Sequence, residues 1–163
     1  MATGPSDVAL TDLNTRLGAP VARAGAGSDA VDGVVPRLVV EPQTPANVGG
    51  TLAWATESGR TVIVRGGGTK IGWGPTPTSV DVLLSMRRMS GVEAHRHGDL
   101  TATVRAGTTL SAMNAVLAEH RQWLALDPPD PDTATIGGIV ATNDSGPRRH
   151  WHGAPRDLII GMT

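Results

Sequence analysis

The sequence contains no cysteine, no phenylalanine and no tyrosine. The first absence excludes disulfides, thiolate catalysis, cysteine-ligated zinc or iron–sulfur centres, and a cysteinyl link to a cofactor. The other two leave Trp54, Trp73, Trp123 and Trp151 as the whole aromatic complement, so a core has to be built from Val, Leu, Ile and Ala. No apolar run approaches the roughly 20 residues of a membrane-spanning helix. An excess of charge is also missing: 14 Lys and Arg against 15 Asp and Glu leave −1, which excludes a broadly basic nucleic-acid footprint. The opening MATGPSDVALTDL has neither a basic start nor a continuous apolar stretch. No secretory signal is visible there, and the expected location is cytoplasmic. What the chain does have is 21 Gly and 12 Pro among 163 residues, enough to mark many special backbone positions while periodic apolar segments persist between them.

Those segments alternate between the two common periods. Leu10, Leu13 and Leu17 fall at helical spacing behind Ser6 as a candidate cap, and residues 18–33 read as a linker. Residues 34–40 are β-branched and suit a strand. Thr44-Pro45 opens a helix over 45–58 that Gly59 ends. Residues 61–65 read as a short buried strand running into Gly66-Gly67-Gly68, residues 69–79 as a loop, and 80–86 as another strand. Leu100, Ala102 and Val104 alternate with polar residues, Thr108 can cap a helix lasting to about His120, and residues 123–126 suggest a brief strand. Thr135 can cap a short helix holding Gly137 and Gly138. Residues 142–155 read as a loop, and residues 158–160 as a final apolar strand. The order describes an α+β domain. An apolar strand at the last positions predicts an unpaired edge, hence self-association or a partner that completes the sheet.

Two glycine-rich segments are the strongest candidates for chemistry. In Arg65-Gly66-Gly67-Gly68-Thr69-Lys70, consecutive amides without Cβ atoms suit phosphate oxygens, with Arg65, Thr69 and Lys70 adding charge or a hydroxyl. The same run also reads as an ordinary strand-to-loop turn. It is neither a Walker A loop nor a GxGxxG fingerprint. In Ile136-Gly137-Gly138, followed by Ala141, Ser145 and Gly146, paired glycines let a ligand approach the start of a helix, or let the helix pack closely on a strand. A long ligand such as FAD needs two docking surfaces, so the two segments together say more than either alone. His95 with His97, and His150 with His152, repeat a spacing that puts two imidazoles on one face of an extended strand. No third ligand has predictable geometry, so solvated histidines are the plainer reading and no metal site is assigned.

The series VVEPQTPANVGGTLAWATESGRTVIVRGGGTK, DLTATVRAGTTLSAMNAVLAEH and DPPDPDTATIGGIVATNDSGPRRHWHGAPRDLIIGM resembles the FAD-binding domain of the vanillyl-alcohol oxidase and para-cresol methylhydroxylase (PCMH-type) family. Within it the likeness is greatest to FAD-binding subunits of bacterial glycolate oxidases. The resemblance implies two α+β subdomains, here 34–98 and 99–163 behind an N-terminal segment 1–33, with the second incomplete. It implies that Gly66, Gly67, Gly68 and Thr69 cradle a pyrophosphate. It also implies contacts to FAD from Asp127, Pro128, Ile136, Gly137, Gly138, Ala141, Ser145 and Gly146, and from the backbone around Ile160 at the adenine end. Covalent members carry a flavin-linking His after the glycines; Thr69 stands there, which implies non-covalent FAD. The expected function is the FAD-binding part of an oxidoreductase acting on a 2-hydroxy acid such as glycolate, with other subunits as possible partners. The alternatives are a truncated, non-catalytic flavin-binding or interaction module, and a phosphate-ligand binder without redox chemistry. Catalytic residues are not assigned.

Overall fold

The computed structural model describes residues 5–163, which divide into two compact units. One comprises the described residues up to Arg65 together with Ile71–Arg88; the other comprises Gly66–Lys70 and Met89–Thr163. The side chain of Ser6 lies outside the described residues.

The first unit is a four-stranded sheet flanked by α1 (Pro5–Leu17) and α2 (Pro45–Glu57). Its strands are β1 (Ala22–Ala24), β2 (Leu38–Val40), β3 (Val62–Arg65) and β4 (Val82–Ser85), in the order β1-β2-β4-β3. The three strands β2, β4 and β3 are parallel, with Val39 and Ile63 both opposite Leu83. β2 and β4 are buried at every position, as suits the centre of a parallel sheet, and they are apolar except for Ser85 at the end of β4. Alternate residues serve opposite faces. Leu38, Val40, Val82 and Leu84 meet Leu13 and Trp54 from the helices, while Val39 and Leu83 meet Val31 and Val80. α2 starts where Thr44 accepts a hydrogen bond from the Asn47 amide with Pro45 in the first turn, and Gly59 at φ +63 ends it. The Trp54 indole donates to Asp12 at 2.6 Å, tying α2 to α1.

Two expectations fail in this unit. Residues 18–33 are not an unstructured linker: they hold β1, antiparallel to β2, and a 3-10 turn at Gly27–Asp29. Ala-Arg-Ala has no strand pattern of its own, and the free edge of β2 supplies the ladder. β3 is an edge strand, with Val64 half exposed rather than buried.

In the second unit β5 (Val92–Arg96) and β6 (Thr101–Val104) form an antiparallel hairpin, followed by α3 (Leu110–Ala118), α4 (Ile136–Thr142), α5 (Arg149–His152) and α6 (Pro155–Leu158). Leu110, Leu126, Ala134 and Ile139 make a small core. Leu100 sits in the hairpin turn at φ +55 and is exposed, so it does not continue the inward alternation of β6. Thr109, not Thr108, caps α3 by accepting from the Ala112 amide; Thr108 is buried and bonds both backbone groups of Gly91. Residues 123–126 form no strand, and the Leu124 amide donates to the Asn114 side chain. Nor do residues 158–160. Pro155 begins a helical turn in which Asp157 accepts from the Ala154 amide, and Ile160 ends up 87% exposed outside any strand. No unpaired sheet edge therefore exists there to drive association. The 142–155 stretch likewise contains α5.

Candidate functional site: a glycine loop seated before a short helix

The loop Gly66–Lys70 packs on the segment that leads into α4. A Cβ on Gly66 would lie 2.1 Å from the Thr135 hydroxyl, and one on Gly67 would lie 1.8 Å from the Thr133 carbonyl oxygen. Both distances are far inside any tolerable contact, so glycine is required here by close approach. Gly68 has a different reason: its φ of +87 turns the loop through the left-handed region.

Electrostatics hold the same loop from its other end. The Lys70 ammonium lies 2.9 Å from the Asp144 carboxylate in the turn after α4, with the two side chains only 8% and 13% exposed. It also donates to the Thr69 hydroxyl at 3.1 Å. Ser145, next in the chain, has a buried hydroxyl without a hydrogen-bond partner in the structure. A buried hydroxyl left this way marks a place where a ligand oxygen can be received.

At the start of α4, Thr135 accepts from the Gly138 amide at 3.3 Å, and the Ile136 and Gly137 amides donate to Thr108 and Ala106 carbonyls, each at 2.8 Å. A Cβ on Gly137 would meet Ala106 at 2.8 Å, so this glycine serves close packing of the helix on the turn that follows β6. A Cβ on Gly138 would press only on the Thr135 hydroxyl, at 3.2 Å. Gly146 packs on Asp127: a Cβ there would lie 2.5 Å from the Asp127 carbonyl oxygen, and the Asp127 carboxylate accepts from the Arg148 amide at 3.1 Å. Asp127 and Pro128 also line a concavity of about 540 Å³ with Leu110, Asn114 and Arg148.

The structure thus brings together Gly66, Gly67, Thr69, Lys70, Ile136, Gly138 and Ser145, and places Asp127, Pro128 and Gly146 in the adjoining turns. Ala141 is exposed on α4, and Ile160 is exposed in the final stretch. The Arg65 guanidinium is engaged within the first unit, donating to Asp29 at 3.3 Å. Thr133, Thr135 and Asp144 had no signal in the sequence as partners of the glycine loop. Their positions follow from a turn whose path no local pattern specifies.

Residues 36–163 match the family described as FAD binding domain, and the chain belongs to this family of PCMH-type domains. It is 33% identical over 126 residues to the D-lactate dehydrogenase of Archaeoglobus fulgidus, covering 77% of this chain and 28% of that one. To glycolate oxidase subunit GlcD of Bacillus subtilis it is 30% identical over 132 residues, covering 78% and 27%. To glycolate oxidase subunit GlcE of Escherichia coli it is 38% identical over 79 residues, covering 48% and 23%. The chain therefore spans about a quarter of the length of these relatives. Among solved structures, alkyldihydroxyacetonephosphate synthase superposes with a TM-score of 0.70 at 27% identity, over 77% of this chain and 26% of that one. Phl p 4.0202, a glucose dehydrogenase, superposes at 0.74 over 91% and 35% with 16% identity, a likeness of fold alone. No described helix is long and apolar enough to cross a membrane.

Proposed function

We propose that this chain is the pyrophosphate-holding part of an oxidoreductase that acts on a 2-hydroxy acid such as glycolate, and that it holds FAD without a covalent bond. The observation that carries this reading is the seating of Gly66–Lys70 on residues 133–135 in front of α4, which joins the two glycine-rich segments into one backbone surface. The residues present fit the cofactor. The Thr69 hydroxyl stands in the loop beside the glycines, and the Ser145 hydroxyl, buried without a hydrogen-bond partner in the structure, would donate to a ligand oxygen. Lys70 is neutralised by Asp144, so its part is to fix the loop rather than to supply net charge.

FAD would supply a hydride acceptor for the substrate, and the loop Gly66–Lys70 with the start of α4 would bind and orient it. The A. fulgidus and B. subtilis relatives are named for lactate and glycolate, both 2-hydroxy acids, which supports that substrate class. Relatives named as subunits support operation beside another chain.

Thr69 occupies the position after the glycines and has no group able to make the histidyl link, while the chain lacks cysteine altogether. Acid precipitation of the flavin-loaded protein is therefore expected to release all yellow colour to the supernatant. Colour held in the washed pellet would overturn the non-covalent reading. Flavin fluorescence unchanged by titration with the chain would overturn the FAD site itself.

A further inference from the structure

The flavin reading leaves the paired histidines without a role. In the second unit a third imidazole joins the first pair. His95 on β5 and His97 just after it lie beside His120, two residues past the end of α3. The rings of His97 and His120 are 3.9 Å apart and within 9° of parallel; His95 is 5.3 Å from His120 and 6.1 Å from His97.

Gln122 fixes the state of one of these rings. Its side-chain NH₂ donates to the His97 carbonyl at 2.8 Å, so the oxygen of the same amide is the atom that faces His95 Nε2 at 2.9 Å. An amide oxygen only accepts, and so Nε2 carries a proton, which in the neutral ring makes Nδ1 the nitrogen with the lone pair. An imidazole oriented through one nitrogen by a neighbouring amide, with the other nitrogen left basic, is how proteins prepare a histidine to ligate a metal. Among the described residues no three ligating groups converge on one point as the side chains stand, and here the His97 and His120 rings are stacked on each other. His97 and His120 are both exposed, however, and exposed side chains exchange rotamers within nanoseconds.

We propose that His95, His97 and His120 form a site for a divalent transition-metal ion with imidazole preference, such as Zn²⁺. The exposed rings turn out of their stack to share the ion with His95, and the ion fastens the β5–β6 turn to the end of α3. The site is independent of the flavin reading.

Calorimetric titration of the whole chain with ZnCl₂ near about pH 7.5, where imidazole is largely neutral, tests this. One saturable event per chain is expected. His97→Ala and His120→Ala should each weaken it at least about tenfold, and Gln122→Ala about tenfold through the loss of ring orientation. All three should keep the far-ultraviolet circular dichroism of the native chain, since the altered side chains lie at the surface or in a turn. His150→Ala, in the other pair, should change nothing. The proposal fails if no saturable binding occurs, if His120→Ala binds as tightly as the native chain, or if His150→Ala removes the event.

Discussion

Gly67→Val is expected to weaken FAD binding at least about 100-fold, which corresponds to about 2.7 kcal/mol. The cause is steric and lies in the backbone. Any Cβ at this position would sit 1.8 Å from the Thr133 carbonyl oxygen, so the loop must leave its seat before α4. Positive φ is not the reason, since the left-handed glycine in this run is Gly68. Gly67→Ala should therefore act almost as strongly as Gly67→Val, because the collision occurs at the first carbon. Gly74→Ala is the matched control: its Cβ would meet nothing within 4 Å. Flavin titration followed by fluorescence, with circular dichroism to verify folding, measures all three. Undiminished affinity in a folded Gly67 variant would move the pyrophosphate site elsewhere.

The largest expected loss of stability comes from Asp29→Ala. The Asp29 side chain is 5% exposed and accepts from the Arg23 guanidinium at 2.6 and 2.9 Å, from the Ala26 amide at 3.0 Å, and from Arg65 at 3.3 Å. Hydrogen bonding from Arg23, set against the cost of burial, holds this carboxyl well below the usual carboxylate range. Removing it leaves the Arg65 guanidinium, only 16% exposed, without its anion. Loss of one member of a buried pair costs about 3 kcal/mol, and for a chain of this size that lowers Tm by roughly 6–12 °C. The pH dependence has a definite sign. Because the folded value is depressed, the stabilisation is present above the unfolded carboxyl value near about pH 4 and is lost as pH falls further toward the folded value. Native chain and Asp29→Ala should thus converge in stability on strong acidification and differ most near neutrality. Equal melting temperatures at neutral pH would show that the carboxylate contributes nothing net.

Legibility of this chain followed how local each determinant is. The second helix was readable because Thr44-Pro45 and Gly59 are start and stop signals within the helix's own turns. β2 and β4 were readable because a strand buried on both faces is mostly apolar, with Ser85 at the end of β4 as the polar exception. β1 was not, since Ala-Arg-Ala becomes a strand only by pairing with β2. At the other end, Leu158, Ile159 and Ile160 have strand character, yet Pro155 and the bond from the Ala154 amide to Asp157 favour a helical turn, and no described neighbouring strand pairs with them. The glycine runs were readable as places that forbid a side chain. What they make room for was not, because Thr133, Thr135 and Asp144 stand more than sixty residues away. The burial of Asp29, in a stretch of Ala, Gly and Asp, and the arrival of His120 beside His95 and His97 depend on tertiary placement alone.

The five residues Gly66–Lys70 belong to the second unit although the chain enters and leaves them from the first. During synthesis this loop emerges long before residues 133–135, so it waits, unseated, while more than sixty further residues are made. Closing so long a span adds little entropic cost per added residue, but it raises the contact order and delays completion of the surface. On the function proposed above, cofactor capture would wait until α4 has been made. A gene cut between codons 88 and 89 would also fail to give two self-sufficient pieces, because the downstream piece would lack the five-residue loop that its own residues hold in place.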